Sequence, residues 1–299
     1  MNLTEVATGG LKVSLIRMDV DLAREIQTRL IDIGCLDPPA DGIFGPVSSL
    51  GLSQFAAKAG VASDGFVVAA LARALLSSEA NDLFRIEIGD DLASRIIKYF
   101  QLKGFWFARI PGFQTIAYLE GANEDGSPNN DDFNEFNDRR IVITIERERP
   151  KLLFNVLATT EPGRAFTVHP ENPKGAARIA FGQFKAWKVG THKAGRPGAH
   201  EALVQVAPLP VHRDLDKNGI REGDKVDVGI FGINQHSGFD ADPKNIGKAS
   251  AGCLVGRSHS DHKAFMTLVK TDPRFSKASH DYRFMTTVIA GDDLQQQTG

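Results

Sequence analysis

Two residues in one stretch of this chain have the types and spacing for covalent chemistry. Cys253 lies in the small-residue run Ser250-Ala251-Gly252-Cys253, and His236 lies seventeen residues earlier in Gln235-His236-Ser237-Gly238. A thiol attacks carbonyl carbon as a thiolate, which an adjacent imidazole or a helix N-terminus can generate near neutral pH. The sequence offers both. Ser258 or Ser260 can cap a helix, Asp261 suits its first turn, and Ala264, Phe265, Leu268 and Val269 form an apolar stripe. Gly252 leaves room for a carbonyl beside the sulfur. The plain alternative is a cysteine buried in a tight turn and a surface histidine, because a free Cys is commonly core packing.

A His-Ser/Gly pair followed, fourteen to seventeen residues on, by Ser-x-Gly-Cys resembles the signature of the L,D-transpeptidases that act on peptidoglycan stem peptides. The resemblance implies that Cys253 is the acylated nucleophile and His236 its base. It further implies that the Ser237 carbonyl orients the imidazole and that the Gly252 and Cys253 amides bind the oxyanion. Ser250 and Arg257 become the substrate-binding candidates. The chain departs from the family in two places. Ala251 stands where that family has His before Gly-Cys, and Val255 stands two residues after the cysteine where it has Arg or Asn, with Arg257 two further on. The stretch Thr160-Glu161-Pro162-Gly163-Arg164-Ala165-Phe166 also resembles a Thr-Pro-x-Gly-x-Phe run of the same family, although a Pro-Gly turn between strands explains it equally well.

Composition narrows the function class. With 299 residues the chain should form two or three domains, and 42% hydrophobic with 24% charged residues is ordinary for a globular protein. A net charge of −2 argues against a general nucleic-acid binder. Two distant cysteines do not suggest a disulfide framework, and no apolar run reaches eighteen residues, so no membrane insertion is expected. The N-terminus lacks a basic segment leading into an apolar core, so no secretory signal is expected. A wall-active chain of this kind would reach the wall or periplasm through phage lysis, through a delivery machinery, or as a trimmed form.

Residues 19–76 read as one unit. Leu22, Ile26, Leu30 and Ile33 recur at helical spacing up to Gly34, Ser48 can cap a second helix carrying Leu52 and Phe55, and a third helix spans roughly 67–76. This order, with Asp41-Gly42-Ile43-Phe44-Gly45-Pro46 between the first two helices, resembles the three-helix peptidoglycan-binding module of wall hydrolases. The resemblance makes Asp41, Gly42, Phe44 and Gly45 candidate wall contacts. Cys35 occupies a core position and is assigned no chemistry. Residues 77–90 read as a linker with some local order, Leu92 to Phe100 as a helix, and Gly104 to Phe107 as the start of β-like sequence.

Downstream, Ile116–Leu119, Ile141–Ile145, Leu152–Leu157, Ala165–Val168, Ala176–Phe181, Phe184–Val189, Ala202–Val206 and Tyr282–Ile289 are strand candidates. The Gln-rich end is expected to be mobile. Between Glu120 and Asp138 lie seven acidic residues and no Lys or Arg. Such a run is a solvated loop, a cation site or a source of catalytic carboxylates, and Glu120, ending a strand, is its most pointed member. His192, His200, His212 and His236 require a zinc site to be weighed, but no tight HxH or HxxxH pair occurs among them. Asp214-Leu215-Asp216-Lys217-Asn218-Gly219 mimics the start of a calcium loop, yet position twelve is Lys225, which favours a β-turn.

The sequence therefore leads to a multidomain α+β protein: a wall-binding three-helix bundle over 1–80 and a mainly β catalytic domain with a few helices over 81–299. Within the second, residues 84–150 form an extension of unassigned role. The expected activity is Cys/His acyl transfer on peptidoglycan stem peptides by a monomer, without cofactor or metal, in the manner of an endolysin or other bacteriolytic hydrolase. Two readings compete: a glycan-cleaving lysin with Glu120 as its acid, and a non-catalytic wall-binding protein.

Overall fold

A computed structural model describes residues 1–62 and 65–299. It is an α+β protein in which a helical N-terminal part packs on a large, mostly sheet part. The first helices are α1 (Leu3–Gly9), α2 (Val20–Ile33), α3 (Pro46–Lys58) and α4 (Ala69–Ser77). The apolar period read from the sequence buries Leu22, Ile26, Leu30 and Ile33. Gly34 ends α2 in the left-handed conformation at φ +84°, its amide bonded back to the helix, a backbone state open chiefly to glycine. One expectation needs correction. Gly45 occupies the N-cap of α3 with Pro46 in its first turn, and Ser48 instead accepts a hydrogen bond from Gln27, so it does not cap the helix. Ahead of residues 19–76, α1 packs against α4 and contributes Leu3 and Val6 to the same core.

The local order expected at 77–90 is a helical turn over residues 80–83, followed by buried Phe84, and Arg109 donates to both Asn81 Oδ1 and the Phe84 carbonyl at 3.0 Å. Residues 87–90 are exposed, while the first core takes up Ala108, Ile110 and Phe113 further along the chain.

After α5 (Leu92–Lys103), eight strands close a barrel: β1 (Thr115–Glu120), β2 (Asp138–Glu146), β3 (Arg149–Thr159), β4 (Gly182–His192), β5 (His200–Gln205), β6 (Gln235–Ser237), β7 (Leu254–Gly256) and β8 (Phe284–Ala290). Their order around the barrel is β6-β7-β3-β2-β1-β8-β4-β5, with β6–β7 and β8–β1 parallel and the other neighbours antiparallel. Period-two alternation explains why β1 is buried throughout. Ile116 and Tyr118 enter the barrel core, while Ala117 and Leu119 face outward under α5. Three helices follow β7: α6 (His259–Val269), a short one over Pro273–Lys277 and, at the chain end, α7 (Gly291–Thr298). The Gln-rich end is thus a helix, not a mobile tail. Leu294 is fully buried against the outward core, and Asp293 accepts a 2.5 Å hydrogen bond from Tyr99. A separate three-stranded antiparallel sheet joins 176–179, 209–214 and 225–229. Ala165–Val168, expected as a strand, lie in a short helix, Arg164–Val168, since four residues are too few for their period to distinguish the two. No helix among the described residues is long and apolar enough to cross a membrane.

Helical part and barrel meet over buried charge. Asp37 is fully buried, with Lys185 Nζ at 2.6 Å and Arg274 Nη1 at 3.5 Å from its carboxylate oxygens. Lys185 also donates to the Asp37 main-chain carbonyl at 3.4 Å. Burial alone would raise this carboxyl's pKa, but Lys185 and Arg274 outweigh it and hold it below the ordinary value. A depressed folded pKa gives stability that is full above the unfolded value, about 3.9, and fades as pH falls through the folded one. Asp37→Asn is expected to cost about 1.5–3 kcal/mol in urea unfolding at pH 7, with the deficit shrinking below about pH 4. An equal deficit at pH 3 and pH 7 would show that the charge is not what couples the two parts.

Candidate functional site

The parallel pair β6–β7 brings the two chemical residues together. Its register sets Gln235 beside Leu254 and His236 beside Val255, so Asn234 is level with Cys253. The Asn234 amide accordingly donates to Cys253 Sγ at 3.4 Å, while the thiol itself donates to the Gly232 carbonyl at 3.3 Å. Cys253 is 8% exposed and His236 5%. Both line one cleft of about 510 Å³, together with His192, Gly232 and Ala251. Three cations, Lys193, Arg213 and Lys248, line the same cleft against one carboxylate, Glu171.

His236 Nδ1 lies 2.9 Å from the Ser237 carbonyl, which can only accept. The ring proton is therefore on Nδ1, and Nε2 keeps its lone pair, the tautomer a general base requires. Gly252, at φ +118°, lets the chain turn tightly before the cysteine. A Cβ there would come within 2.2 Å of the Ala177 carbonyl, so no other residue fits without moving the 176–179 strand.

The expected electrostatics are not those observed. Burial pushes the Cys253 thiol up to about 11, the Asn234 amide opposing only in part. Burial and then His192 hold His236 well below 6.5. The resting pair is thus neutral thiol and neutral imidazole, not thiolate and imidazolium. The anticipated helix exists and Ser258 caps it, accepting from the Asp261 amide at 3.3 Å. It begins beyond the far end of β7, however, so its N-terminus does not lie at the sulfur.

Three further assignments change. The Gly252 amide donates to Ser250 Oγ at 3.1 Å, and so is already engaged where an oxyanion donor was expected. Ser250, 1% exposed, also donates to the Cys253 carbonyl and accepts from the Gly163 amide through its own carbonyl, so it shapes the turn. Arg257 donates to the Ala241 carbonyl at 3.1 Å and is not among the cleft residues, whereas Arg213 is.

The turn Asp41 to Gly45 is knitted by Gln27. This residue donates to Asp41 Oδ1 and the Ile43 carbonyl and accepts from the Gly42 amide at 2.7 Å. Phe44 is core, and Gly42 packs against Val20, so these two build the turn and offer no surface. Asp41 and Gly45 do border a second cleft of about 490 Å³ between the helices and the barrel, with Lys188 and Arg283.

The ends of the acidic run, Glu120 and Asp138, are buried, while Glu124, Asp125 and Asp132 between them are exposed. Glu120 is 4% exposed and accepts from Thr160 at 2.5 Å, from Arg178 at 3.0 Å and from both Nη atoms of Arg221. Burial opposes its ionisation, but Arg221 and Arg178 hold it at about 2. Such a carboxyl carries no proton at neutral pH and lies outside the Cys253 cleft, so it does not fit the role of a glycosidic acid. Beside it, burial and neighbouring carboxylates push Asp138 up to about 8, and Arg178 also pairs with Glu161.

Among the described residues, oxygen atoms close enough to share one cation occur in Glu120, Asp131 and Glu161, and in Asp214, Asp216 and Asp224. Neither group includes a histidine or Cys253. In the second, the Asp214 oxygens accept from the Asn218 and Gly219 amides at 3.0 Å, the hydrogen bonding of a tight turn. Cys35 is core, its thiol pushed by burial up to about 12.

One residue central to the site escaped the sequence reading. Arg140 on β2 is fully buried and donates to the His236 and Leu254 carbonyls, both at 3.1 Å, stapling the two site strands. It also donates to Tyr118 Oη at 2.5 Å and to His262 Nδ1 at 3.1 Å, and its guanidinium lies 4.5 Å from the Phe265 ring centre.

No family model and no curated protein matches the chain. Among solved structures, it aligns with a fused Zn-dependent amidase/peptidase/peptidoglycan-binding domain-containing protein from Clostridium acetobutylicum. That alignment has 14% identity, covers 89% of this chain and 94% of the other, and has a TM-score of 0.29. It also aligns with an L,D-transpeptidase from Xylanimonas cellulosilytica at 13% identity, covering 89% and 92%, with a TM-score of 0.20. Both scores are too low for a shared fold to be argued.

Proposed function

We propose that the protein is a cell-wall enzyme that cleaves or remodels peptidoglycan stem peptides by acyl transfer through Cys253 and His236. The observation that carries this reading is one cleft holding a thiol and an imidazole whose Nδ1 proton is committed to the Ser237 carbonyl. Nε2 is thereby left as a base. Because both groups rest neutral, the thiol gives up its proton as it attacks, and no standing thiolate is needed.

In the proposed reaction His236 Nε2 takes the thiol proton while sulfur bonds to the stem-peptide carbonyl carbon. Collapse of the tetrahedral species returns that proton to the leaving amine. Water or an acceptor amine then resolves the thioester, giving a hydrolase in one case and a transpeptidase in the other. The cationic lining, Lys193, Arg213 and Lys248 against Glu171, favours a substrate bearing free carboxylates. The N-terminal helices serve in this reading as the wall-binding part. The protein needs no membrane insertion for this work.

Purified sacculi digested with the protein and resolved by mass spectrometry test the proposal. New amino termini, or stem peptides extended by an added amine, are expected. New reducing ends without either would assign the activity to glycan bonds and overturn the reading.

A further inference from the structure

The tetrahedral species formed on Cys253 carries an oxyanion, and one amide expected to receive it is engaged by Ser250. The cleft offers another donor. His192, at the end of β4, lines the cleft and stacks on His236 with ring centres 3.9 Å apart and planes 13° from parallel.

A chain of hydrogen bonds fixes its protonation. Asn234 Oδ1 accepts from the Gln205 amide at 2.9 Å, which settles the orientation of the Asn234 side-chain amide. Its Nδ2 therefore faces His192 Nδ1, at 3.0 Å, and can only donate. Nδ1 must be the bare nitrogen, so the single ring proton resides on Nε2. No partner for Nε2 is found among the described residues. Protonating Nδ1 would set two donors against each other, so the ring is locked neutral, in keeping with a pKa that burial, with His200 and Lys193, lowers to about 4.

We propose that His192 is a catalytic residue whose fixed Nε2–H binds the oxyanion of the tetrahedral intermediate on Cys253. The inference rests on the acyl-transfer reading above and adds a residue to it. As sulfur bonds to carbon, the carbonyl π pair moves onto oxygen and accepts the His192 hydrogen bond. When that pair returns, the carbon–nitrogen bond breaks and the amine leaves with the proton held by His236. His192 exchanges no proton, and a neutral donor suits this role without competing as a base.

The test compares two reactions of the same sulfur. Acetylation by p-nitrophenyl acetate passes through an oxyanion, whereas alkylation by iodoacetamide does not. Both are followed on Cys253 by peptide mass mapping of the full chain. His192→Phe keeps a ring on His236 but removes the donor. It should slow acetylation by about 10²–10³-fold and leave alkylation within about threefold. His192→Gln, which presents an amide N–H near the Nε2 position, should recover most of the acetylation rate and decides the matter should the Phe variant misfold. Acetylation unchanged in the Phe variant, acetylation and alkylation slowed equally, or a folded Gln variant as slow as the Phe variant would each overturn the proposal. A Cys253→Ala protein that still digests sacculi would instead overturn the acyl-transfer reading, and the two failures are thus separable.

Discussion

Cys253→Ala is expected to lower turnover of purified sacculi by about 10⁴-fold or more while the protein remains folded. The substitution removes one sulfur from a cleft wall and leaves the strands, Arg140 and the Ser250 turn in place. The resting electrostatics set the pH behaviour of the native thiol. With its pKa near 11, the thiolate fraction should rise about tenfold per pH unit from 7 to 10. The iodoacetamide rate on Cys253 should follow it, without a plateau near pH 6–8. A plateau there would reveal a standing thiolate–imidazolium pair and refute the neutral resting state. Cys35, held at about 12 inside the helical core, should stay unlabelled until the protein unfolds. Full activity of Cys253→Ala on sacculi would defeat the functional proposal.

Arg140→Ala should have the largest effect on stability, about 3–5 kcal/mol by urea unfolding. Removing the guanidinium leaves the His236 and Leu254 carbonyls, Tyr118 Oη and His262 Nδ1 without their donor inside the barrel. It also empties the space of one of the largest fully buried side chains. Arg140→Lys keeps the charge, but a compact ammonium cannot reach four acceptors in a plane, so it should fall between native and Ala. A loss under about 1 kcal/mol for Arg140→Ala would mean that β6 and β7 are held by other contacts.

The sequence made some of this legible and hid the rest for identifiable reasons. The α2 stripe from Leu22 to Ile33 and its Gly34 stop were readable because local period and backbone chemistry decide them. Most strands were readable for the same reason. His236 and Cys253 could be paired from spacing alone, but not their protonation. That depends on how deeply β6 and β7 are buried and on His192, which arrives from another strand. Arg140 could not be singled out, since nothing local says that its four acceptors lie 22 to 122 residues away. Glu120 looked like a free carboxylate because Arg178 and Arg221, which neutralise it, follow 58 and 101 residues later. Helix α7 was hidden because Leu294 is its only large apolar anchor.

The protonated resting state of Cys253 carries a consequence for its oxidation. Peroxides oxidise thiolates far faster than thiols, and the sulfenic acid so formed is commonly rescued by a neighbouring cysteine. This chain has no such neighbour, because its second cysteine lies in the helical core. Its protection is the scarcity of thiolate itself: at neutral pH a thiol with a pKa near 11 is ionised to only about one part in 10⁴. In the proposed reaction the thiol stays protonated until His236 takes its proton during attack. The protein should therefore tolerate millimolar hydrogen peroxide without added reductant, and rapid sulfenic-acid formation at Cys253 in the absence of substrate would contradict this.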